Sequence, residues 1–251
     1  MDLQLQGKCA LVTGASQGIG RAIALGLARE GVKVAAVARR KNLLDELAAQ
    51  IVAAGGEPPT LIEADFYAEN ASEAVAARAL AALGRVDILI NAAGGSRPIT
   101  FEATKDQWQE GMVLNFWRIR ELTHAIVPSM KAHQFGRIVN LTGTSEPKIL
   151  NAAFSAKAAL HVWAKGLSRE IAPHGVTINC LQPGRIRSEQ IDKRYPTDEA
   201  RREFSQSEIP AGRFGSTDEI GHLAIFLASP LASYVTGTVI PVDGGMSRFA
   251  F

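Results

Sequence analysis

The chain has 251 residues, 47% of them apolar, which suffices for a substantial core and makes one α/β domain the simplest division. Its 27 basic and 25 acidic side chains leave a formal charge of +2, so neither nucleic acid nor an anionic membrane is expected as partner, and a small molecule is. With no short spacing between Cys9 and Cys180, no signal-peptide pattern in Met1-Asp2-Leu3-Gln4 and no apolar run near the ~18 residues of a membrane span, a reducing, cytoplasmic setting is expected.

The apolar run Cys9-Ala10-Leu11-Val12 predicts a first strand, and the periodic segment from Arg21 to Ala28 predicts a helix. Between them, Thr13-Gly14-Ala15-Ser16-Gln17-Gly18-Ile19-Gly20 reads as a strand-to-helix turn. Gly14 permits the tight turn, Gly18 lets backbone N–H groups approach a pyrophosphate, and Gly20 lets the helix pack against the strand. The positive end of the helix then faces the phosphates. A second strand is expected over residues 32–37, followed by Leu43, Leu44, Leu47 and Ile51 at helical spacing. Strands at 60–64 and 86–90 enclose an Ala-rich helix at about 71–83, and a long helix starts near Asp106. A strand at 138–141, a helix at 151–172, a strand at 176–181 and a last strand at 238–242 complete the pattern. Strands alternating with helices argue a doubly wound parallel sheet of Rossmann type with helices on both faces, since each parallel crossover needs a helix. No linker or repeat divides residues 1–251.

Ligands of such sheets bind outside the carboxyl ends of the strands. After the second strand come Arg39 and Arg40, where an acid would accept a hydrogen bond from the ribose 2′-hydroxyl of NAD. Two arginines instead favour the 2′-phosphate of NADP, with NAD second; adjacent side chains cannot both face the ligand, and Arg39 is the first choice. Asp65-Phe66 follows the third strand and Asn91-Ala92-Ala93-Gly94 the fourth, where small residues let the backbone lie against a cofactor and Asn91 can tie strands together. Asn115, in the middle of a helix, is intrinsically unfavourable there, which suggests a site role beside the simpler one of a buried, satisfied amide.

The Gly-x-x-x-Gly-x-Gly turn, the Asn91-Ala92-Ala93-Gly94 segment, Asn115, Lys157 with its trailing Leu167-Ser168-Arg169-Glu170, Pro183-Gly184 and the closing stretch from Gly237 to Gly245 occur in one order. Together they resemble the short-chain dehydrogenase/reductase family over residues 7–245. The resemblance implies an NAD(P)-dependent oxidoreductase that interconverts an alcohol and a ketone or aldehyde by hydride transfer. It implies cofactor contacts from Ser16, Gln17 and Ile19 beside the three glycines, from Asp65 and Phe66 at the adenine, and from Asn91, Ala92, Ala93 and Gly94. Pro183, Gly184, Ile186 and Ser188 would flank the nicotinamide, Ser188 standing where a Thr usually bonds the carboxamide. Asn115 would kink its helix and hold a water leading to Lys157, which would hold the nicotinamide ribose. A substrate lid over about 189–212, charged and irregular in sequence, and a homo-oligomer, tetramer or dimer, are implied as well.

The catalytic segment departs from the family. Its Ser falls on Gly143, flanked by Thr142 and Thr144, and its Tyr, four residues before the Lys, falls on Ala153. Phe154 is aromatic but has no hydroxyl. Two readings stay open: hydride transfer with the proton handled by Lys157, Thr144, Thr142 or bound water, or nucleotide binding without turnover, as a sensor or oligomer partner. His161 shares the helical stripe of Lys157, and Tyr195 lies in the lid segment. The other histidines show no metal-ligand spacing, so no metal is expected. Arg185 and Arg187 are either solvated or aimed at a carboxylate or phosphate on the substrate, and Phe249 and Phe251 either serve an oligomer or fold back on their own subunit.

Overall fold

The computed structural model describes residues 1–249 apart from the side chains of Glu189, Gln190 and Lys193, and Phe251 lies outside the described residues. Seven strands, β1 (Cys9–Thr13), β2 (Lys33–Ala38), β3 (Thr60–Glu63), β4 (Ile88–Asn91), β5 (Gly136–Leu141), β6 (Val176–Pro183) and β7 (Val239–Val242), form one sheet. Its order is β3-β2-β1-β4-β5-β6-β7, and every neighbouring pair is parallel.

The central strands β1, β2 and β4 are largely apolar because both faces of the sheet are covered there. Alternate residues serve opposite layers: Ala10 and Val12 of β1 face one cluster with Ile23, Leu27, Leu44 and Ile225, whereas Leu11 faces the other with Val75, Leu122, Ile126 and Ile171. The first layer is built by α1 (Gly18–Arg29), α2 (Lys41–Ala53) and α9 (Thr217–Ala228). The second is built by α3 (Ala71–Leu83), α5 (Arg118–Ala132) and α6 (Ala152–Ile171). Each fully buried Leu or Ile in these layers contributes about 1.5–3 kcal/mol relative to exposure.

Chain order reverses between β1 and β4, which opens a crevice at the carboxyl ends of the strands. The long helix after β4 is not continuous. It begins as α4 (Lys105–Met112), passes through a π-helical turn at Val113–Trp117 and resumes as α5. The segment read as irregular at 189–212 instead contains α7 (Glu189–Arg194) and α8 (Asp198–Glu208). Thr197 starts α8 by accepting the Ala200 N–H at 3.1 Å, and Asp198 and Glu199 sit favourably in its first turn. Apolar anchors are sparse there, but Tyr195, Phe204 and Phe214 pack ring to ring at 5.0–5.8 Å. Among the described residues, no helix is long and apolar enough to cross a membrane.

Candidate active site

The turn after β1 has the geometry its glycines require. Gly14 has φ +67°, and a Cβ there would lie 2.8 Å from the Ala92 carbonyl oxygen. At Gly20 a Cβ would lie 2.5 Å from the Gly14 carbonyl oxygen, so α1 docks on the turn only without a side chain. Gly18 also has a positive φ, but the space beyond it is open. Gln17, the N-cap of α1, leaves the first N–H groups without a side-chain acceptor, and no acid occupies the first turn. An uncapped helix start behind an open glycine is a cradle that fits a pyrophosphate. Ser16 contributes its carbonyl to Arg21 at 3.4 Å, and Ile19 packs against the core on the inner side of the same turn.

Thr13 ties this turn to the next strand end. Its hydroxyl accepts the N–H groups of Ala92 and Ala93, both at 3.0 Å, which fixes the Asn91–Gly94 backbone beside the crevice. No sequence motif singles out Thr13 for this role; a hydroxyl at the end of a buried strand is its only signal. Asn91 donates to Asn140 at 2.8 Å and to Thr123 at 3.2 Å, joining β4, β5 and α5. Arg39 is exposed just after β2, and Arg40 hydrogen-bonds the Gln17 side chain, which sets Arg40 beside the phosphate cradle. Asp65 accepts the Tyr67 N–H at 3.1 Å, and buried Phe66 gives its carbonyl to Arg118 at 2.9 Å.

Three elements converge on Lys157. Asn115, fully buried at the centre of the π-turn, accepts the Gly95 N–H at 3.1 Å and donates to the Gly111 carbonyl at 2.9 Å. A Cβ on Gly94 would lie 3.0 Å from Asn115 Oδ1 and 3.8 Å from Lys157 Nζ, so Gly94 keeps the space between the two open. Lys157, half-buried on α6, donates to the Thr142 carbonyl at 3.2 Å, and burial lowers its pKa to about 8. Gly143 faces it, with a Cβ there reaching 3.4 Å from Lys157 Cδ. Ala153 is buried in the first turn of α6 and donates its N–H to Asn151, the N-cap, at 2.9 Å; Asn151 also donates to Ser96 at 2.8 Å.

The two threonines differ. Thr142 is buried, and its hydroxyl donates to the Leu181 carbonyl at 2.9 Å. With its one proton so committed, it accepts from His161 Nε2 at 2.8 Å, which fixes the His161 tautomer. Burial and the Lys157 charge both lower the His161 pKa. Thr144 is half-buried, and its hydroxyl accepts the Glu146 N–H at 3.0 Å, leaving its own proton for another acceptor.

The end of β6 supplies the far wall. Gly184 lies so close to Asp243 that a Cβ would be 2.7 Å away, Pro183 closes the strand and Ile186 is buried. Ser188 caps α7 by accepting the Ile191 N–H at 3.4 Å. Tyr195 belongs to the aromatic cluster with Phe204 and Phe214. The chain's last described residues fold back: Glu146 accepts the Arg248 N–H at 2.8 Å and the Phe249 N–H at 3.0 Å. Among the described residues, no group of His, Cys, Asp and Glu side chains could hold a metal ion.

A seven-stranded parallel sheet, an uncapped glycine turn at its switch point and a lysine facing an asparagine in a π-turn define a dinucleotide-linked oxidoreductase class. The family model described as enoyl-(acyl carrier protein) reductase matches residues 14–247. The chain is 36% identical over 249 residues to the 3-oxoacyl-(acyl-carrier-protein) reductase FabG of Pseudomonas aeruginosa, covering 97% of this chain and 99% of that one. Among solved structures, it is similar to L-sorbose reductase of Gluconobacter frateurii complexed with NADPH and L-sorbose, with TM-score 0.93 and 30% identity over 99% of this chain and 100% of that one. It is also similar to the 3-oxoacyl (acyl-carrier-protein) reductase of Agrobacterium tumefaciens C58 with NADP bound, with TM-score 0.91 and 30% identity over 96% and 95% of the two chains. The chain belongs to the short-chain dehydrogenase/reductase family and is an NAD(P)-dependent oxidoreductase of that family.

Proposed function

We propose that this protein reduces a ketone or aldehyde to an alcohol with NADPH, and runs the reverse with NADP, through a catalytic centre in which Lys157 takes over the proton chemistry of the missing Tyr. When bound, the dinucleotide supplies the hydride. The turn of Gly14, Ser16, Gln17, Gly18, Ile19 and Gly20 would hold its pyrophosphate, and Arg39 and Arg40 its 2′-phosphate. NADPH or NADP in both solved relatives supports that preference. Asp65, Phe66, Ala92, Ala93 and Gly94 would line the adenosine half, with Asn91 fixing the strand end. Pro183, Gly184, Ile186 and Ser188 would line the nicotinamide half.

One observation carries the chemical reading: Lys157 is an ammonium of pKa about 8 facing Gly143, where the family Ser is absent. A carbonyl oxygen that gains charge as its carbon accepts hydride needs a proton. An ammonium of pKa about 8 gives one up far more readily than a lysine of pKa 10.5 and is still protonated at pH 7. Asn115 holds the wall opposite Lys157, Thr142 fixes its height through the carbonyl, and Thr144 is the nearby hydroxyl with a proton to donate. Residues 189–212 would form a lid over this centre within a single domain spanning 1–251. Half-exposed Trp117 and exposed Val162 on the outer faces of the π-turn and α6 support a homo-oligomer, tetramer or dimer, and the setting would be the cytoplasm.

The test is NADPH oxidation by purified protein over ketones, aldehydes and a 3-oxoacyl thioester, beside Lys157→Ala and with NADH in parallel. Turnover that is faster with NADPH and collapses in Lys157→Ala is the expected result. Tight NADPH binding with no turnover across the panel would replace this reading with that of a nucleotide-binding sensor.

A further inference from the structure

Arg185 leaves the carboxyl end of β6 beside the catalytic loop, because Gln182 at that strand end accepts the Ser145 hydroxyl at 2.9 Å. Its backbone is pinned: the Arg185 carbonyl accepts the Gly215 N–H at 2.9 Å. Its side chain is not. The guanidinium carbon lies 5.3 Å from the centroid of the Phe204 ring of α8, and Nε is buried without a hydrogen-bond partner. Among the described residues only one other buried side-chain polar atom lacks a partner, Asn91 Oδ1, and that amide is already held through its nitrogen. No hydrogen bond or ion pair from the described residues reaches the Arg185 guanidinium.

The nearby acids are committed elsewhere. Glu208 pairs with Lys148 at 2.5 Å and faces Arg248 at 3.8 Å, while Glu146 is occupied by the backbone N–H groups of Arg248 and Phe249. The charges of Lys148, Arg248 and Arg185 all hold the Glu208 carboxyl below its ordinary pKa, but only Lys148 and Arg248 make contact with it, and Arg185 acts through space alone. A desolvated donor with no acceptor costs free energy that a bound anion would remove. A guanidinium stacked on an aromatic face keeps its planar edge, whose paired donors match a carboxylate or a phosphate.

We propose that Arg185 is the specificity-determining anchor of the site and that the carbonyl substrate carries an oxyanion, a carboxylate or a phosphate, which Arg185 binds beneath the lid. This inference rests on the reductase reading above. Exposed Arg187, the other arginine in this stretch, would add only through-space attraction.

Matched substrates test it: 2- and 3-oxo acids against their methyl esters, and dihydroxyacetone phosphate against dihydroxyacetone, each with NADPH. The expected result is that the anionic member of one pair is preferred at least about tenfold in kcat/KM, mostly through KM. The pair that shows the preference identifies carboxylate or phosphate as the source. Arg185→Gln should bring that preference close to unity, Arg185→Lys should retain part of it, and Arg187→Gln should leave most of it. An anionic preference that survives Arg185→Gln unchanged overturns the assignment, as does no anionic preference in the wild type. If nothing is turned over, binding separates the two ideas. Malonate or inorganic phosphate that perturbs the fluorescence of bound NADPH in the wild type and in Arg185→Lys but not in Arg185→Gln supports the anchor while removing the reductase reading. Absence of any such perturbation in the wild type overturns the anchor.

Discussion

Lys157 should weaken the fold it serves, and replacing it with Met should stabilise the protein while abolishing turnover. Burial lowers its pKa from 10.5 to about 8, so the folded state holds the proton less firmly than the unfolded chain. Between those two values the unfolded chain binds more protons, and the Lys157 contribution to stability rises with pH. At 1.36 kcal/mol per pKa unit, the charged side chain costs about 3 kcal/mol at pH 7 and about 1 kcal/mol at pH 10. Lys157→Met removes that cost but strands the Thr142 carbonyl, a loss of about 1–2 kcal/mol. The variant should therefore exceed the wild type by about 1–2 kcal/mol at pH 7, and the difference should fall by about 2–3 kcal/mol on going to pH 10. Urea unfolding of both proteins, without dinucleotide, at pH 7, 8, 9 and 10 measures it, since other titrating groups cancel in the difference. A difference that stays flat across this range would refute the burial of charge at Lys157 and with it the proposed proton chemistry.

Two further substitutions probe the scaffold around the lysine. Asn115→Ala orphans the Gly95 N–H and the Gly111 carbonyl, and should cost about 2–3 kcal/mol of stability and lower the Tm by several degrees; an unchanged melting curve would show that the π-turn does not depend on this amide. Gly14→Ala forces a side chain into a left-handed backbone 2.8 Å from the Ala92 carbonyl, and should cost more than about 1 kcal/mol and abolish NADPH binding by fluorescence titration. Wild-type affinity in that variant would remove the turn from the cofactor site.

The parts of the site legible in the sequence are those that depend on one residue's own backbone. Gly14 and Gly20 are readable because a Cβ there would meet backbone at 2.8 and 2.5 Å, and Gly18 because its left-handed φ of +57° favours glycine. Asn115 is readable because an Asn in mid-helix demands an explanation, and the π-turn supplies it. Gly143 and Ala153 fall at the Ser and Tyr positions only by the family resemblance anchored on Lys157, and the structure sets Gly143 against the Lys157 side chain and Ala153 in the first turn of α6. Side-chain partnerships across the fold were not legible. His161 was placed on the stripe of Lys157, but its bond to Thr142 depends on how closely α6 packs over the end of β5. The helices at 189–212 were hidden because Tyr195, Phe204 and Phe214 are too widely spaced to give a helical period, and only the fold brings their rings together. Nor does any local pattern connect Glu146 with residues about a hundred positions later.

That last contact has a consequence for how the protein tolerates change. Glu146 grips the main chain of Arg248 and Phe249, not their side chains, so almost any residue at those two positions can be held equally well. Proline, which has no N–H to offer, is the exception. Register is another matter: Asp243 fixes Gly245 and Ser247 just upstream, so losing or gaining one residue between them would carry the wrong N–H groups past the carboxylate. Drift among related sequences should therefore be free in composition here and strict in length, and a one-residue deletion should loosen the loop beside Lys157 more than any substitution of Arg248.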